Sequence, residues 1–242
     1  MTETAMDRDF AALTDKIARE RGFGCASYKE RCLRRRIAVR MRARGVHTYA
    51  DYSRVLDTDA REYDLLLDAL TINVTKLFRN WDTFQAIDTL VVPALWARPD
   101  ATLRIWSAGC ASGEEAHSLA ILMHRYAVGR DEGAQLGRVT VMGTDIDRAS
   151  LDAARRGAYA EPAFADTPPA LRARYFSPEA PHVVDPDVRR LVQFTHRDLL
   201  REPPPASDVH LITCRNVLIY FDRGTQEMLF QRGINFNDLP TW

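Results

Sequence analysis

The spacing of apolar residues changes character part-way along the chain. Before about residue 98 they recur three or four apart, the period of helices packed on one face. Asp9 to Glu20 is apolar at Phe10, Leu13 and Ile17, and Gly22 and Gly24 stop it. Tyr28 to Arg44 predicts an unusually basic helix, with Leu33, Ile37 and Met41 on one line. Arg31, Arg35 and Arg42 project together from roughly the opposite face, at about 100° per residue. Thr48 to Leu56 and Glu62 to Leu70 predict two further short helices, and Pro99-Asp100 marks a break. Beyond it, short apolar runs alternate with helical ones. Strands are expected at Leu103 to Ala108, Val139 to Thr144, Leu191 to Phe194 and Val209 to Cys214, with helices at Glu114 to Tyr126 and Ala149 to Gly157. Strand, glycine turn, helix, strand is the order of a doubly wound, Rossmann-like α/β domain with a parallel sheet, which binds ligands at the carboxyl ends of its strands. The expected division is an N-terminal helical domain over 1–80 and an α/β domain over 81–242. Residues 161–186, with six prolines, are expected to be an irregular insertion between sheet units.

Composition narrows the class of function. Of the 242 residues 46% are hydrophobic and 27% charged, which is ordinary for a globular protein. Lys+Arg and Asp+Glu both number 33, so no global charge points to nucleic acid or a membrane surface. The four cysteines form neither zinc-like pairs nor a disulfide framework, and no metal site is expected. No apolar run approaches the roughly 20 residues that span a bilayer. The first ten residues lack the apolar core of a signal peptide. A cytoplasmic protein without membrane insertion is the expectation.

The chemistry gathers at predicted strand ends. Ser107-Ala108-Gly109-Cys110-Ala111-Ser112-Gly113-Glu114-Glu115 joins a strand to a helix. Its glycines let the backbone approach a ligand, and the helix start offers free N–H groups. It is not the G-x-G-x-x-G of dinucleotide sites. Two acids at the helix start would repel a pyrophosphate but suit a cation such as a sulfonium amino acid; equally, they complement the helix dipole. Gly143-Thr144-Asp145-Ile146-Asp147 follows the second strand, where a carboxylate can accept hydrogen bonds from both ribose hydroxyls. Asp147 also fits a plain N-cap. Together the two segments describe a nucleoside attached to something cationic, which suits S-adenosylmethionine better than NAD or ATP. Asn73-Val74-Thr75-Lys76-Leu77-Phe78-Arg79-Asn80 alternates polar with apolar residues, as a segment folded over a site would, or as an ordinary connector. Cys214-Arg215-Asn216-Val217-Leu218-Ile219-Tyr220-Phe221 puts Arg and Asn at the mouth of the sheet and Tyr220 nearby, although a tyrosine there is also a good core aromatic.

In chain order, from Asn73 through Ser107 and Gly143 to Cys214, the four segments closely resemble the CheR-type chemoreceptor glutamate methyltransferases. The basic helix with Arg34-Arg35-Arg36 and Arg40-Met41 also resembles that family's N-terminal domain. The resemblance runs from about Tyr28 to Arg232. It implies that Asn73, Thr75 and Arg79 close over S-adenosylmethionine, Arg79 holding its carboxylate. It places Gly109 in the turn, one of Glu114 and Glu115 (Glu115 preferred) on the amino group, and Asp145 on the ribose. Asp198 and Leu199 would flank the adenine, although many relatives have Asn where this chain has Asp198. Arg215 and Asn216 would line the methionine end, with Tyr220 near the transferred methyl, making Arg79 and Tyr220 the catalytic candidates. Leu77 stands where the family often has a second Phe. After Arg232 the chain reads Gly233-Ile-Asn-Phe-Asn-Asp-Leu-Pro-Thr-Trp242 in place of a Pro-Gly-Gly-type turn, so a sheet without its last strands is expected.

The implied reaction is displacement of the sulfonium methyl by an ionised glutamate of a chemoreceptor, the expected partner. Such a carboxylate, with a pKa of about 4.3, needs no general base. That agrees with the lack of an obvious His–acid pair. Arg31, Arg35 and Arg42 are the candidate substrate-binding residues, steering an acidic receptor segment. A non-catalytic S-adenosylmethionine sensor or interaction module is the alternative. Methyl transfer to nucleic acid is disfavoured, because no Asn/Asp-Pro-Pro-Tyr-type base pocket is present.

Overall fold

A computed structural model of the chain describes residues 4–71 and 75–231. These form two compact units, one from residues 4–71 with 216–231 and the other from 75–215.

The first unit is helical: α1 (Ala5–Arg21), α2 (Glu30–Ala43), α3 (Tyr49–Thr58) and α4 (Ala60–Leu70), with α11 (Arg223–Gln231) from the later segment. Local chemistry sets the boundaries. Thr4 and Asp7 close a capping box on α1, and Thr48 and Asp59 accept backbone N–H groups at the starts of α3 and α4. Gly22 ends α1 in the left-handed conformation at φ 69°. The expected apolar lines are buried: Phe10, Leu13 and Ile17 from α1 meet Leu33, Ile37 and Met41 from α2, with Tyr52, Leu66 and Leu70 completing the core. Glu62 is buried in that core, gripped by both arms of the Arg40 guanidinium at 3.0 and 2.6 Å and by the Tyr52 hydroxyl at 2.7 Å.

The second unit carries four parallel strands, β1 (Leu103–Ala108), β2 (Val139–Asp145), β5 (Val192–His196) and β6 (Leu211–Thr213), in the order β5-β2-β1-β6. This is the expected doubly wound arrangement. Helix α7 (Glu114–Val128) follows β1, and α8 (Arg148–Arg156) follows β2. A helical run precedes the sheet, α5 (Trp81–Ala86) and α6 (Val92–Trp96) joined by a π turn at Ile87–Val91. Ala108 pairs with Thr144 and Asp145 with His196, so β1, β2 and β5 end along one edge. From β1 the chain builds outward through β2 to β5, then returns to β1's other side with β6. The order reverses beside β1, where such sheets hold their ligands.

The proline-rich stretch is more ordered than its composition suggested. It holds α9 (Pro169–Tyr175), and β4 (His182–Val183) pairs antiparallel with β3 (Ala158–Tyr159); α10 (Pro186–Arg189) follows. Pro169 and Pro186 stand at first helical positions, where a missing N–H costs nothing, so they start helices instead of breaking them. The atypical stretch 232–242 lies outside the described residues. Among the described residues no helix is long and apolar enough to cross a membrane.

Candidate active site

The glycine turn after β1 is folded against the end of β2. The N–H groups of Gly109 and Cys110 both donate to the Thr144 carbonyl, at 2.8 and 2.9 Å. One oxygen of Asp145 then accepts from the Ala111 N–H at 2.8 Å, and the other accepts from Asp147 N–H at 3.0 Å. Each carboxylate oxygen has a second lone pair, so Asp145 can still accept two hydroxyl donors. Burial pushes the Asp145 carboxyl above the usual carboxylate range, and these N–H groups pull against it. Gly113 is obligatory twice over. Its φ is +88°, and a Cβ there would lie 2.8 Å from Ala154 Cβ and 2.9 Å from the Phe194 ring. Ala111 is also left-handed, at φ 48°.

Glu114 and Glu115, adjacent at the start of α7, have different surroundings. Glu115 Oε1 accepts the Ser107 hydroxyl of β1 at 2.8 Å and the Thr213 hydroxyl of β6 at 2.7 Å, while Oε2 faces Arg215 at 3.5 Å. It sits at the reversal of strand order. Glu114 is buried and accepts from the Ser112 hydroxyl, and burial raises its pKa to about 7. Arg215 is a strut: one arm donates to the Arg79 carbonyl at 2.8 Å and to Asn80 Oδ1 at 3.0 Å, the other meets Glu115, and the guanidinium lies over the Phe84 ring.

Asn73 lies outside the described residues. Residues 75–80 of its segment are fastened to α7 and to the loop after β3. Phe78 N–H donates to the Ser118 hydroxyl, which donates to the Glu114 carbonyl; Leu77 N–H reaches the Ala163 carbonyl. Asp166 takes Lys76 at 3.3 Å and the Asn80 N–H at 3.1 Å. Thr75 and Arg79 are half-buried in this segment, and Phe78 and Asn80 both have positive φ, 53° and 60°. Outside glycine such backbone is uncommon and gathers at functional sites. Among the described residues, four of the five non-glycine residues with positive φ, namely Phe78, Asn80, Ala111 and Asn216, fall in segments singled out by sequence.

Asp198 and Leu199 follow β5 on the same edge, both half-buried; Asp198 Oδ1 accepts the Leu200 N–H, and Arg197 N–H ties the loop to the Asp145 carbonyl. Gly109, Glu115, Asp145, Asp198 and Arg215 thus share the carboxyl edge of one sheet. Asn216 and Tyr220 belong to the first unit. There the Tyr220 ring lies 4.5 Å from the Arg36 guanidinium, and its carbonyl accepts from Lys29 N–H. Arg31, Arg35 and Arg42 are exposed, and no carboxylate pairs with them among the described residues. Sequence reasoning quoted Ser107 without giving it a role and passed over Thr213; both hydroxyls orient Glu115, and a hydroxyl near the end of an apolar strand was a usable signal. It also passed over Asp166 and the buried Arg36, whose Nη1 donates to the Leu70 carbonyl and whose Nε and Nη2 have no partner among the described residues.

Known proteins resemble this chain in sequence across both units. Residues 8–71 match the CheR methyltransferase all-alpha domain and residues 73–235 the CheR methyltransferase SAM binding domain. The chain is 34% identical over 232 residues to chemotaxis protein methyltransferase 2 of Pseudomonas aeruginosa, covering 93% of this chain and 80% of that one. It is 29% identical over 228 residues to the chemotaxis protein methyltransferase of Listeria innocua, covering 94% and 84%. An uncharacterized 104.1 kDa protein of Rhodobacter capsulatus is 34% identical over 211 residues, which is 85% of this chain but 21% of that longer protein. With both domain models matched in order over nearly the whole chain, and glycine turn, acid pair and strand-end aspartate on one edge, the chain belongs to the CheR methyltransferases and takes S-adenosylmethionine as cofactor.

Proposed function

We propose that this protein methylates glutamate side chains of a chemoreceptor's cytoplasmic domain, forming glutamyl methyl esters in the cytoplasm. The observation that carries the reading is the carboxyl edge of the sheet, where Glu114, Glu115 and Asp145 stand round the glycine turn. The residues fit S-adenosylmethionine: Asp145 retains acceptor capacity for a ribose, and Glu115, with Oε2 3.5 Å from Arg215, puts a carboxylate on the same edge for the amino group. The bound cofactor supplies a methyl group on a positively charged sulfur, which an aligned oxygen can displace.

The chain's own residues bind and orient. Asp145 holds the ribose through its unused lone pairs, and Gly109 lets the turn approach. Glu115 receives the amino group; Glu114, buried against Ser112, supports the helix start instead. Arg79 balances the carboxylate, and Thr75, with Asn73, covers the site. Asp198 and Leu199 flank the adenine. Arg215 keeps Glu115 and the covering segment in register, and with Asn216 serves the methionine end. Tyr220 orients the reacting groups, and the exposed Arg31, Arg35 and Arg42 recognise acidic substrate. An ionised glutamate needs no proton removed, so alignment supplies the catalysis, on the order of 7–11 kcal/mol.

Purified receptor cytoplasmic domain incubated with methyl-labelled cofactor tests this. Alkali-labile label on glutamate is expected, and abolished by Asp145→Ala. Tight cofactor binding with no label on any receptor would leave a sensor, and sink the enzymatic reading.

A further inference from the structure

The second unit contains a cavity of about 390 Å³, separate from the carboxyl edge and lined by the last turn of α8, by α10 and by the first half of β5. Its volume falls in the range of small-molecule sites. Arg155, Arg189 and Arg190 border it, while Phe194, Pro186 and the buried His117 give it apolar and aromatic walls. The charges do not cancel. Arg155 pairs with Asp152 at 2.7 Å and Arg190 with Asp187 at 2.5 Å, but Arg189 has no carboxylate partner among the described residues. One arm of Arg189 donates to the Arg155 carbonyl at 2.9 Å, which holds its charge beside the cavity. Burial, and then Arg189, hold His117 neutral, so the positive field comes from arginine alone.

We propose that this cavity binds a small phosphate monoester of mononucleotide size. Guanidinium forks match phosphate oxygens in pairs, and Arg189 is the anchor because its charge is unspent. A bare phosphate would occupy a small part of the space and leave the aromatic wall in water; a planar group attached to it would cover Phe194 and Pro186. None of these residues has a part in holding the methyl donor. Phe194 does border the glycine turn, its ring filling the space beside Gly113 and Gly143, which keeps the two sites apart.

The test is calorimetry on the full chain already saturated with S-adenosylhomocysteine, titrated with AMP, inorganic phosphate or adenosine. AMP is expected to bind, phosphate about tenfold more weakly or worse, and adenosine not at all. Arg189→Glu should weaken AMP at least about tenfold and leave S-adenosylhomocysteine affinity unchanged. Arg190→Ala, at an exposed side chain, should weaken AMP less and serves if the first variant fails to fold. Displacement of AMP by S-adenosylhomocysteine would put it in the methyl-donor site and overturn the proposal. So would AMP affinity indifferent to both substitutions, phosphate binding as tightly as AMP, or adenosine binding as well as AMP. The receptor-methylation experiment can fail without touching this result, because none of the three probes is a substrate of methyl transfer.

Discussion

At the scale of single residues, neighbouring glutamates at one helix start show how environment divides labour. Glu115 has hydroxyls from two strands and a guanidinium to hold its charge, whereas Glu114 has one hydroxyl and deep burial. Its pKa is therefore raised from 4.5 to about 7. A carboxyl whose folded pKa exceeds its unfolded one contributes stability that is full below pH 4.5 and lost as pH rises through 7. The penalty reached above pH 7 is about 3 kcal/mol. Glu114→Gln keeps an acceptor for Ser112 and cannot ionise. Thermal unfolding should show the variant and the parent equally stable near pH 4, with the variant more stable by up to that amount near pH 8. Parallel stability curves across this range would mean that Glu114 does not titrate there.

At the scale of elements, α2 has one buried face and one exposed, basic face. Leu33, Ile37 and Met41 are buried, and Arg31, Arg35 and Arg42 face water without carboxylate partners among the described residues. Exposed charges without partners contribute little to stability, but they can steer an acidic segment. Reversing the three to Glu should leave melting temperature and cofactor affinity nearly unchanged, and lower receptor methylation by at least about tenfold at low salt. Normal methylation by the triple variant would show the face to be merely solvated. This helix was legible in the sequence because its burial repeats every four residues. The run from Trp81 to Trp96 was not singled out, since a π turn at Ile87–Val91 shifts its period and Pro93 interrupts the pattern. The site was legible in the same uneven way. Gly113 and Asp145 stand within motifs whose spacing is local. Thr213 meets Glu115 from 98 residues away and Asp166 meets Asn80 from 86, and no local pattern encodes a contact of that range.

At the scale of the whole molecule, the described residues bury two hydrophobic cores that share no residue. One joins Ile17, Ile37 and Leu66; the other joins Leu103, Ile105, Leu119 and Val141. The elements that position Gly109, Glu115, Asp145 and Arg215, the residues proposed to hold the cofactor, all belong to the second unit. A ligand that binds only the folded form stabilises what it binds, by about 2.7 kcal/mol at a hundred times its dissociation constant. With S-adenosylhomocysteine at that level, hydrogen exchange should slow in residues 103–115 and 139–147 by up to about a hundredfold, the same free energy expressed as a rate. Amides in the interiors of α1 and α3 should exchange as before, because their packing rests on the first core. Equal slowing in α1, α3 and the strands would mean that the two cores unfold as one cooperative unit, and would refute their energetic independence. Slowing confined to α1 and α3 would remove the cofactor from the carboxyl edge of the sheet altogether.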